Sequence, residues 1–394
     1  MSERDQGRNS GMELLPPATI GIIGGGQLGM FTAEAAKKLG YRVAILDPAS
    51  DCPAKRFADR HIVADFSDPT AYLSIAECSD ALTYEFEHID ADILEELEES
   101  GVRLYPSAKC LGRINDKFAQ KKMLRTAGIP VPDFLSLDEI GEYGNLERLG
   151  LPLVFKHRRG GYDGRGIIVA RTEVEARQAW RELTGKNAFA ERYVRFEREL
   201  SLIVAKDLAG NWAIYPPAEN VHKDGILRMS RAPARISDEV RLRTIDVSRS
   251  AVSLLGSPGV FCVEMFLDRN LNVLVNEIAP RPHNSGHHTL DACVTSQYEQ
   301  LIRVLSGKPL GSTEQTTPCV MMNILGAEGV QGSYSLAGAG KNPEEREVRC
   351  YWYGKETTRH LRKLGHVTVL DSSLDRAELK AKEIHRGIVI APNP

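Results

Sequence analysis

Phe261-Cys262-Val263-Glu264-Met265-Phe266 and Val273-Leu274-Val275-Asn276-Glu277-Ile278 are apolar runs separated by Leu267-Asp268-Arg269-Asn270-Leu271-Asn272. The separator is rich in turn residues, so the stretch predicts a buried β-hairpin. Pairing the runs about a centre between 270 and 271 sets Glu264 opposite Glu277. Directly opposed residues share a face, and like charges there destabilise the pair unless something offsets them. Mg²⁺ carrying nucleotide phosphates is a natural offset, because magnesium combines one or two carboxylates with phosphate oxygens. The bland alternative turns one Glu to solvent. The apolar flanks favour a buried hairpin with Glu264 and Glu277 as metal ligands.

Directly downstream lies Ala279-Pro280-Arg281-Pro282-His283-Asn284-Ser285-Gly286-His287-His288. Prolines and a glycine fix a backbone that presents Arg, His and Asn. The histidine spacing has no acidic or Cys partners of zinc type. An anion-handling loop beside a magnesium nucleotide is the expectation.

Upstream, Leu153-Val154-Phe155-Lys156 reads as a strand ending in a lysine. Gly160-Gly161-Tyr162-Asp163-Gly164-Arg165-Gly166 follows, then the strand Ile167-Ile168-Val169-Ala170. No G-x-x-x-x-G-K-[ST] loop occurs in the chain. A glycine hairpin of this type can fold over a triphosphate while Lys156 meets phosphate charge from beneath. A mobile surface hairpin is the alternative, which Lys156 at the mouth and Arg165 inside the loop disfavour.

Nearer the N-terminus, the strand Thr19–Ile23 enters Gly24-Gly25-Gly26-Gln27-Leu28-Gly29 and a helix ending at Gly40. A second strand, Arg42–Leu46, ends at Asp47. This matches a dinucleotide fingerprint, but its physical content is only backbone N–H groups and a helix N-terminus approaching an anion. Ala81–Glu85 reads as a further strand end, and Asp90 as the cap of an acidic helix ending near Gly101. Such alternation predicts a parallel sheet covered on both faces. Residues 1–16 read as a disordered tail closed by Pro16-Pro17. A basic helix is expected over Asp116–Ala127, helices at 173–184 and 238–255, a linker at 307–311, and a β-rich unit to the C-terminus.

The 394 residues suggest two or three domains at about 150 residues each. Lys plus Arg number 50 against 53 Asp plus Glu, a net charge of −3. That balance removes the electrostatic case for a dedicated nucleic-acid binder. No segment approaches the length of a membrane helix, and the polar N-terminus lacks a signal-peptide core. The seven cysteines are scattered without a C-x-x-C, so each is expected to be a small buried hydrophobe in a reducing, cytoplasmic protein.

Together these strings resemble the ATP-grasp superfamily and, within it, the N5-carboxyaminoimidazole ribonucleotide synthetases. The resemblance rests on IIGGGQLGMF (22–31), YEFEHI (84–89), INDK (114–117), KHRRGGYDGRG (156–166), ENVHKDGI (219–226), NEIAPRPHNSGH (276–287), WYGKE (352–356) and RKLGH (362–366). It implies an α/β protein of ATP-grasp architecture. A Rossmann-like parallel-sheet domain (17–115) would be followed by an ATP-grasp α+β domain (116–310) and a small β-rich domain (311–394).

The implied reaction is ATP- and bicarbonate-dependent carboxylation of 5-aminoimidazole ribonucleotide through carboxyphosphate, in purine biosynthesis. ATP and Mg²⁺ are the implied cofactors, and a homodimer the implied assembly. By this resemblance Lys117 and Lys156 contact phosphates, residues 160–166 form a lid, and Glu191, Arg192, Tyr193 and Val194 hold adenine. Glu199 takes the ribose and His222 lies near the nucleotide. Asn276 belongs with the ATP-binding set, as does Glu277 in addition to its metal role. Arg281 meets bicarbonate or developing phosphate charge, and Lys156 and Asn284 complete the catalytic set. Gln27, Leu28, Glu85 and Asn284 hold the ribonucleotide, whose 5′-phosphate meets Lys355, Arg362 and Lys363. His288 stands where an aromatic is also familiar, and no role attaches to it.

Three alternatives stay open on sequence. A formate-dependent transformylase would share the nucleotide machinery. A nicotinamide oxidoreductase would use Gly24–Gly29 and Asp47 but leave the Glu pair unexplained. A non-catalytic nucleotide-binding regulator would not need the full set of Lys, Glu and Arg candidates.

Overall fold

The computed structural model describes residues 13–161, 166–338 and 347–393. Its N-terminal sheet is parallel, in the order Arg60–Ile62, Arg42–Leu46, Thr19–Ile23, Ala81–Tyr84. Ile20, Ile22, Ile23, Val43, Ile45 and Leu46 are buried. Strands covered on both faces are apolar without alternation, which is why they were legible as runs. Helices Gln27–Lys38, Pro69–Glu77 and Ala91–Glu99 accompany this sheet. Asp90 caps the last as expected, accepting from Asp92 N–H at 3.0 Å.

Residues 13 and 14, read from sequence as part of a disordered tail, are held by the fold. Leu14 N–H donates to Ser306 O at 2.8 Å, and its carbonyl accepts from the Tyr41 hydroxyl at 2.8 Å. Glu13 pairs with Lys308 at 2.6 Å. Leu14 packs on the core, and this apolar anchor docks a segment whose composition looked featureless. Residues 1–12 lie outside the described part.

Two antiparallel sheets form the site, beside a three-stranded antiparallel sheet of Thr357–Thr358, Gly332–Ala337 and Val389–Pro392. The smaller of the two runs Phe134–Ser136, Ala188–Arg192, Leu153–His157, Ile167–Ala170. The larger runs Val273–Ala279, Gly259–Asp268, Phe196–Lys206, Ala218–Lys223, Ile226–Ala232, Cys319–Leu325, Lys363–Leu370, Val348–Trp352, with Trp212–Ile214 beside Phe196–Lys206. The strand Cys319–Leu325 pairs with Ile226–Ala232, so one sheet crosses residue 310. Helix Asp238–Ser253 begins at Ser237, whose hydroxyl accepts from Val240 N–H.

Helix Lys117–Thr126 is capped by Asp116, which accepts from Ala119 N–H at 2.9 Å. Gln120 fastens it to the hairpin through paired bonds with Ile278, at 2.9 and 3.2 Å. Helices Ala108–Asn115, Gln297–Ser306 and Leu374–Gly387 were not expected. The last buries only Ala377 and Ala381 fully, a narrow stripe in a charged sequence, so the C-terminal unit is not purely β. Gly307, read as part of a linker, is the left-handed cap of Gln297–Ser306, at φ 73°. All seven cysteines are free, and Cys78, Cys293 and Cys350 are only half-buried.

Candidate active site

One cavity of about 610 Å³ opens between the two antiparallel sheets and reaches the N-terminal glycine loop. Its walls include Gln27, Leu28, Glu85, Lys117, Lys156, Gly160, Gly161, Glu191, Arg192, Tyr193, Val194, Glu199, His222, Glu264, Asn276, Glu277, Arg281, Asn284 and Lys363. The fold therefore gathers most of the sequence-derived candidates from three regions of the chain. Tyr162, Asp163, Gly164 and Arg165 lie outside the described residues. Gly166 does not line the cavity; its carbonyl accepts from His157 N–H at the base of the hairpin.

The carboxylate hairpin pairs Glu264 with Glu277, and a bulge follows immediately, with Met265 opposite Val275. The extra residue is Asn276, so the perfect register expected at the turn end is offset by one. The bulge lets Asn276 and its neighbour Glu277 both line the cavity. Lys117 reaches Glu277 at 2.5 Å. Burial raises the Glu277 carboxyl, but Lys117, with help from Lys156, outweighs it and holds Glu277 far below the usual range. Among the described residues no lysine forms an ion pair with Glu264. Burial and then the Glu277 charge push it up to about 7. The pair is thus one offset carboxylate beside one that still calls for a cation. Two hard oxygen donors at a cavity wall suit Mg²⁺. Among the described residues no group of three or more His, Cys, Asp or Glu could hold a metal unaided, so phosphate oxygens would complete the shell.

Lys156 forms an ion pair with Glu191 and donates to Asn276 Oδ1 at 3.2 Å. Glu191 also pairs with Lys121 at 3.0 Å. Sequence reasoning missed Lys121, which is 2% exposed. Its spacing four residues from Lys117, on the face of Phe118 and Leu124, was an available signal. Burial drives the Lys121 ammonium down to about 8 against the pull of Glu191. Beyond this triad Val154, Ile167, Val169 and Leu227 form apolar walls suited to a planar base. At the cavity's far side His222 Nδ1 meets Glu199 at 2.9 Å.

The first glycine loop is not shaped for a dinucleotide. Asp47 accepts from Gly25 N–H at 2.7 Å and from Ala49 N–H at 2.8 Å. Glu85 accepts from Gly26 N–H and Gly29 N–H, each at 2.6 Å. The helix N-terminus thus already holds a carboxylate of its own chain. A Cβ on Gly29 would lie 2.3 Å from Gly24 O, so the glycine is needed for close helix–strand packing.

The loop after the hairpin also differs from expectation. Arg281 pairs with Glu87 at 2.6 Å, and His283 lines the cavity, 3.9 Å from Glu264. His287 and His288 are buried, and desolvation holds both imidazoles in the neutral form, His288 at about 4. Burial holds the His283 imidazole neutral as well, and of the three histidines it is the one that lines the cavity. The three C-terminal cations are also split. Lys363 lines the cavity, whereas Lys355 donates to Gln27 Oε1 at 3.0 Å and to Lys363 O at 2.9 Å. Arg362 donates to Thr357 O at 2.9 Å on the exposed side.

Two sheets gripping a cavity with paired carboxylates and flanking lysines define the ATP-grasp class. Residues 122–298 match the ATP-grasp domain, 17–115 the ribonucleotide synthetase preATP-grasp domain, and 319–380 the phosphoribosylaminoimidazole carboxylase C-terminal domain. The N5-carboxyaminoimidazole ribonucleotide synthase of Bacillus subtilis (strain 168) is 40% identical over 364 residues, 92% of this chain and 94% of the relative. The crystal structure of the synthetase from Thermotoga maritima has a TM-score of 0.86 at 39% identity, covering 95% of this chain and 100% of that one. The Aspergillus clavatus synthase, in complex with ADP and 5-aminoimidazole ribonucleotide, gives 0.83 at 31% identity, covering 94% and 98%. The chain belongs to the N5-carboxyaminoimidazole ribonucleotide synthase family.

Proposed function

We propose that this protein carboxylates 5-aminoimidazole ribonucleotide to N5-carboxyaminoimidazole ribonucleotide, consuming ATP and bicarbonate, as a ligase of purine biosynthesis. A bicarbonate oxygen attacks the γ-phosphorus, and ADP leaves. The carboxyphosphate so formed is attacked at carbon by the exocyclic amine; phosphate leaves and the nitrogen loses a proton. Lys117 and Lys156 neutralise phosphate charge, and Glu191 through Val194 hold the base. Glu199 takes the ribose, with His222 beside it. Mg²⁺, held by Glu264 and Glu277, would screen the phosphate oxygens. Arg281, kept in place by Glu87, offers its guanidinium to bicarbonate or to charge developing on phosphate. Gln27, Leu28, Glu85 and Asn284 would contact the ribonucleotide, with Lys363 and its neighbours Lys355 and Arg362 toward its 5′-phosphate.

The observation that carries this reading is the single cavity running from the Lys117–Glu277 pair to Gln27 and Lys363. It has room for a nucleotide at one end and a second anionic substrate at the other. ADP release measured with each substrate omitted in turn tests it. Release should require both bicarbonate and the aminoimidazole ribonucleotide, whereas turnover with formate alone would overturn it. We further infer a cytoplasmic homodimer. The seven free cysteines support a reducing compartment, the dimer rests on the family likeness alone, and light scattering of the purified protein checks it.

A further inference from the structure

We infer that His287 is a positioning residue which, as a neutral imidazole protonated at Nε2, locks the Asn284 amide so that its NH₂ faces the cavity as a hydrogen-bond donor. The inference deepens the reading of Asn284 as a ribonucleotide contact and rests on it.

His287, Tyr298, Tyr353 and His366 form a closed polar cluster in which every residue is 0% exposed. The Tyr298 hydroxyl lies 2.7 Å from His287 Nδ1. His287 Nε2 lies 3.1 Å from Asn284 Oδ1 and 3.2 Å from the Tyr353 hydroxyl. That hydroxyl lies 2.9 Å from His366 Nδ1. Hydroxyl donors give the shorter contacts and ring N–H donors the longer ones, and one N–H shared between two acceptors gives two long ones. The distances therefore read as Tyr298 O–H donating to Nδ1, and Nε2–H shared between Asn284 and Tyr353. The Tyr353 O–H then donates to His366.

Satisfaction of buried groups gives the same answer. With the proton on Nδ1, the fully buried Tyr298 O–H would lose the acceptor it meets at 2.7 Å. That costs roughly 1–3 kcal/mol. His366 Nε2 has no partner in either arrangement, so it does not discriminate. Burial, with His366 next, pushes the His287 imidazolium far below its ordinary range, so neutral tautomers are the only competitors. His287 stacks on His366 at 4.3 Å and 2°, which fixes the ring plane. Once Asn284 Oδ1 is taken by Nε2–H, its Nδ2 is left for the cavity, where it donates to no described residue. The atom it meets must be an acceptor, such as a ribose or phosphate oxygen or an unprotonated ring nitrogen. The selectivity of this contact is thus set by Tyr298, a residue that does not line the cavity.

The test combines a tautomer readout with kinetics on the full-length enzyme. In ¹⁵N-histidine-labelled protein, the multiple-bond ¹H–¹⁵N pattern that His287→Gln deletes should be that of an Nε2–H imidazole. Tyr298→Phe, which removes only the hydroxyl, should mix the tautomers. It should raise the KM for the ribonucleotide about tenfold, the size of one oriented hydrogen bond, while the KM for Mg-ATP stays put. His287→Gln places an amide N–H near Nε2 and should retain more ribonucleotide affinity than His287→Asn, whose amide mimics Nδ1. An Nδ1–H or doubly protonated His287, equal losses in the two substitutions, or parallel rises in both KM values would overturn the proposal. If ADP release proved independent of the ribonucleotide, the functional reading would fall while the tautomer result stood by itself.

Discussion

Lys117 and Glu277 meet at 2.5 Å, joining the first residue of a helix to the bulged strand of the carboxylate hairpin. Each satisfies the other in the protein alone. In the proposed mechanism a magnesium nucleotide would replace both partners at once, phosphate taking the ammonium and the metal the carboxylate. On that reading the cavity would hold both charges in advance, each paired with the other until the ligand arrives.

Glu277→Gln keeps the shape of the hairpin and removes the charge. ADP release should fall by a factor on the order of 100 or more, because the contact strengthens as charge develops on the transferred group. Steady-state kinetics across a magnesium titration checks this. Undiminished turnover would remove the hairpin from the site.

Glu85→Ala should loosen the first glycine loop. Two backbone N–H groups, those of Gly26 and Gly29, lose their acceptor. A stability loss of roughly 1–3 kcal/mol is expected by urea unfolding. Ribonucleotide binding should weaken while Mg-ATP binding holds, which calorimetry distinguishes.

The contrast between Glu85 and Glu264 shows what a sequence makes legible. Glu264 and Glu277 were readable because both lie in one hairpin, where the turn-rich separator between two apolar runs sets their opposition. Glu85 and Gly26 are 59 residues apart, and only the parallel sheet brings them together. From the fingerprint alone, Gly24–Gly29 promised an outside anion. Lys121 was hidden in the helix expected over Asp116–Ala127, where the sequence shows it as one basic residue among several. His287 and His366 were opaque for another reason: the Tyr353 hydroxyl that links them lies 66 residues from His287, and nothing local marks a histidine as core. Helix Leu374–Gly387 escaped because two alanines make too faint a stripe.

Lys363→Ala should raise the KM for the ribonucleotide more than Arg362→Ala does. Lys363 lines the cavity, whereas Arg362 donates to the exposed Thr357 carbonyl and hydroxyl. Initial-rate kinetics with the ribonucleotide varied decides between them. An equal or larger effect at Arg362 would place the 5′-phosphate outside the cavity mouth.

Lys121→Met should destabilise the fold by about 3–5 kcal/mol, since it leaves the buried Glu191 with Lys156 as its remaining cation. Adding Glu191→Gln should recover part of the loss, because the uncompensated charge disappears. A double-mutant cycle from chemical denaturation measures the coupling. Strictly additive losses would mean that the two groups do not interact.

Acid stability should be limited by buried neutral imidazoles. Burial lowers His288 to about 4 and His366 to about 3, from an ordinary value of 6.5. Because the folded value is the lower one, the unfolded chain takes up each proton first. The stabilisation is complete above about pH 6.5 and drains as pH falls toward the folded values, with a slope near 1.4 kcal/mol per pH unit for each group. His288 Nδ1 lies 2.8 Å from Ser285 O, a contact that an asparagine amide can reproduce. His288→Asn should therefore keep the bond and remove one proton's share of the slope between about pH 6 and pH 4.5. Urea unfolding of both proteins at a series of pH values gives that difference directly, since other carboxylates and histidines titrate alike in the two chains. Parallel curves for the two proteins would show that His288 is already charged in the folded state.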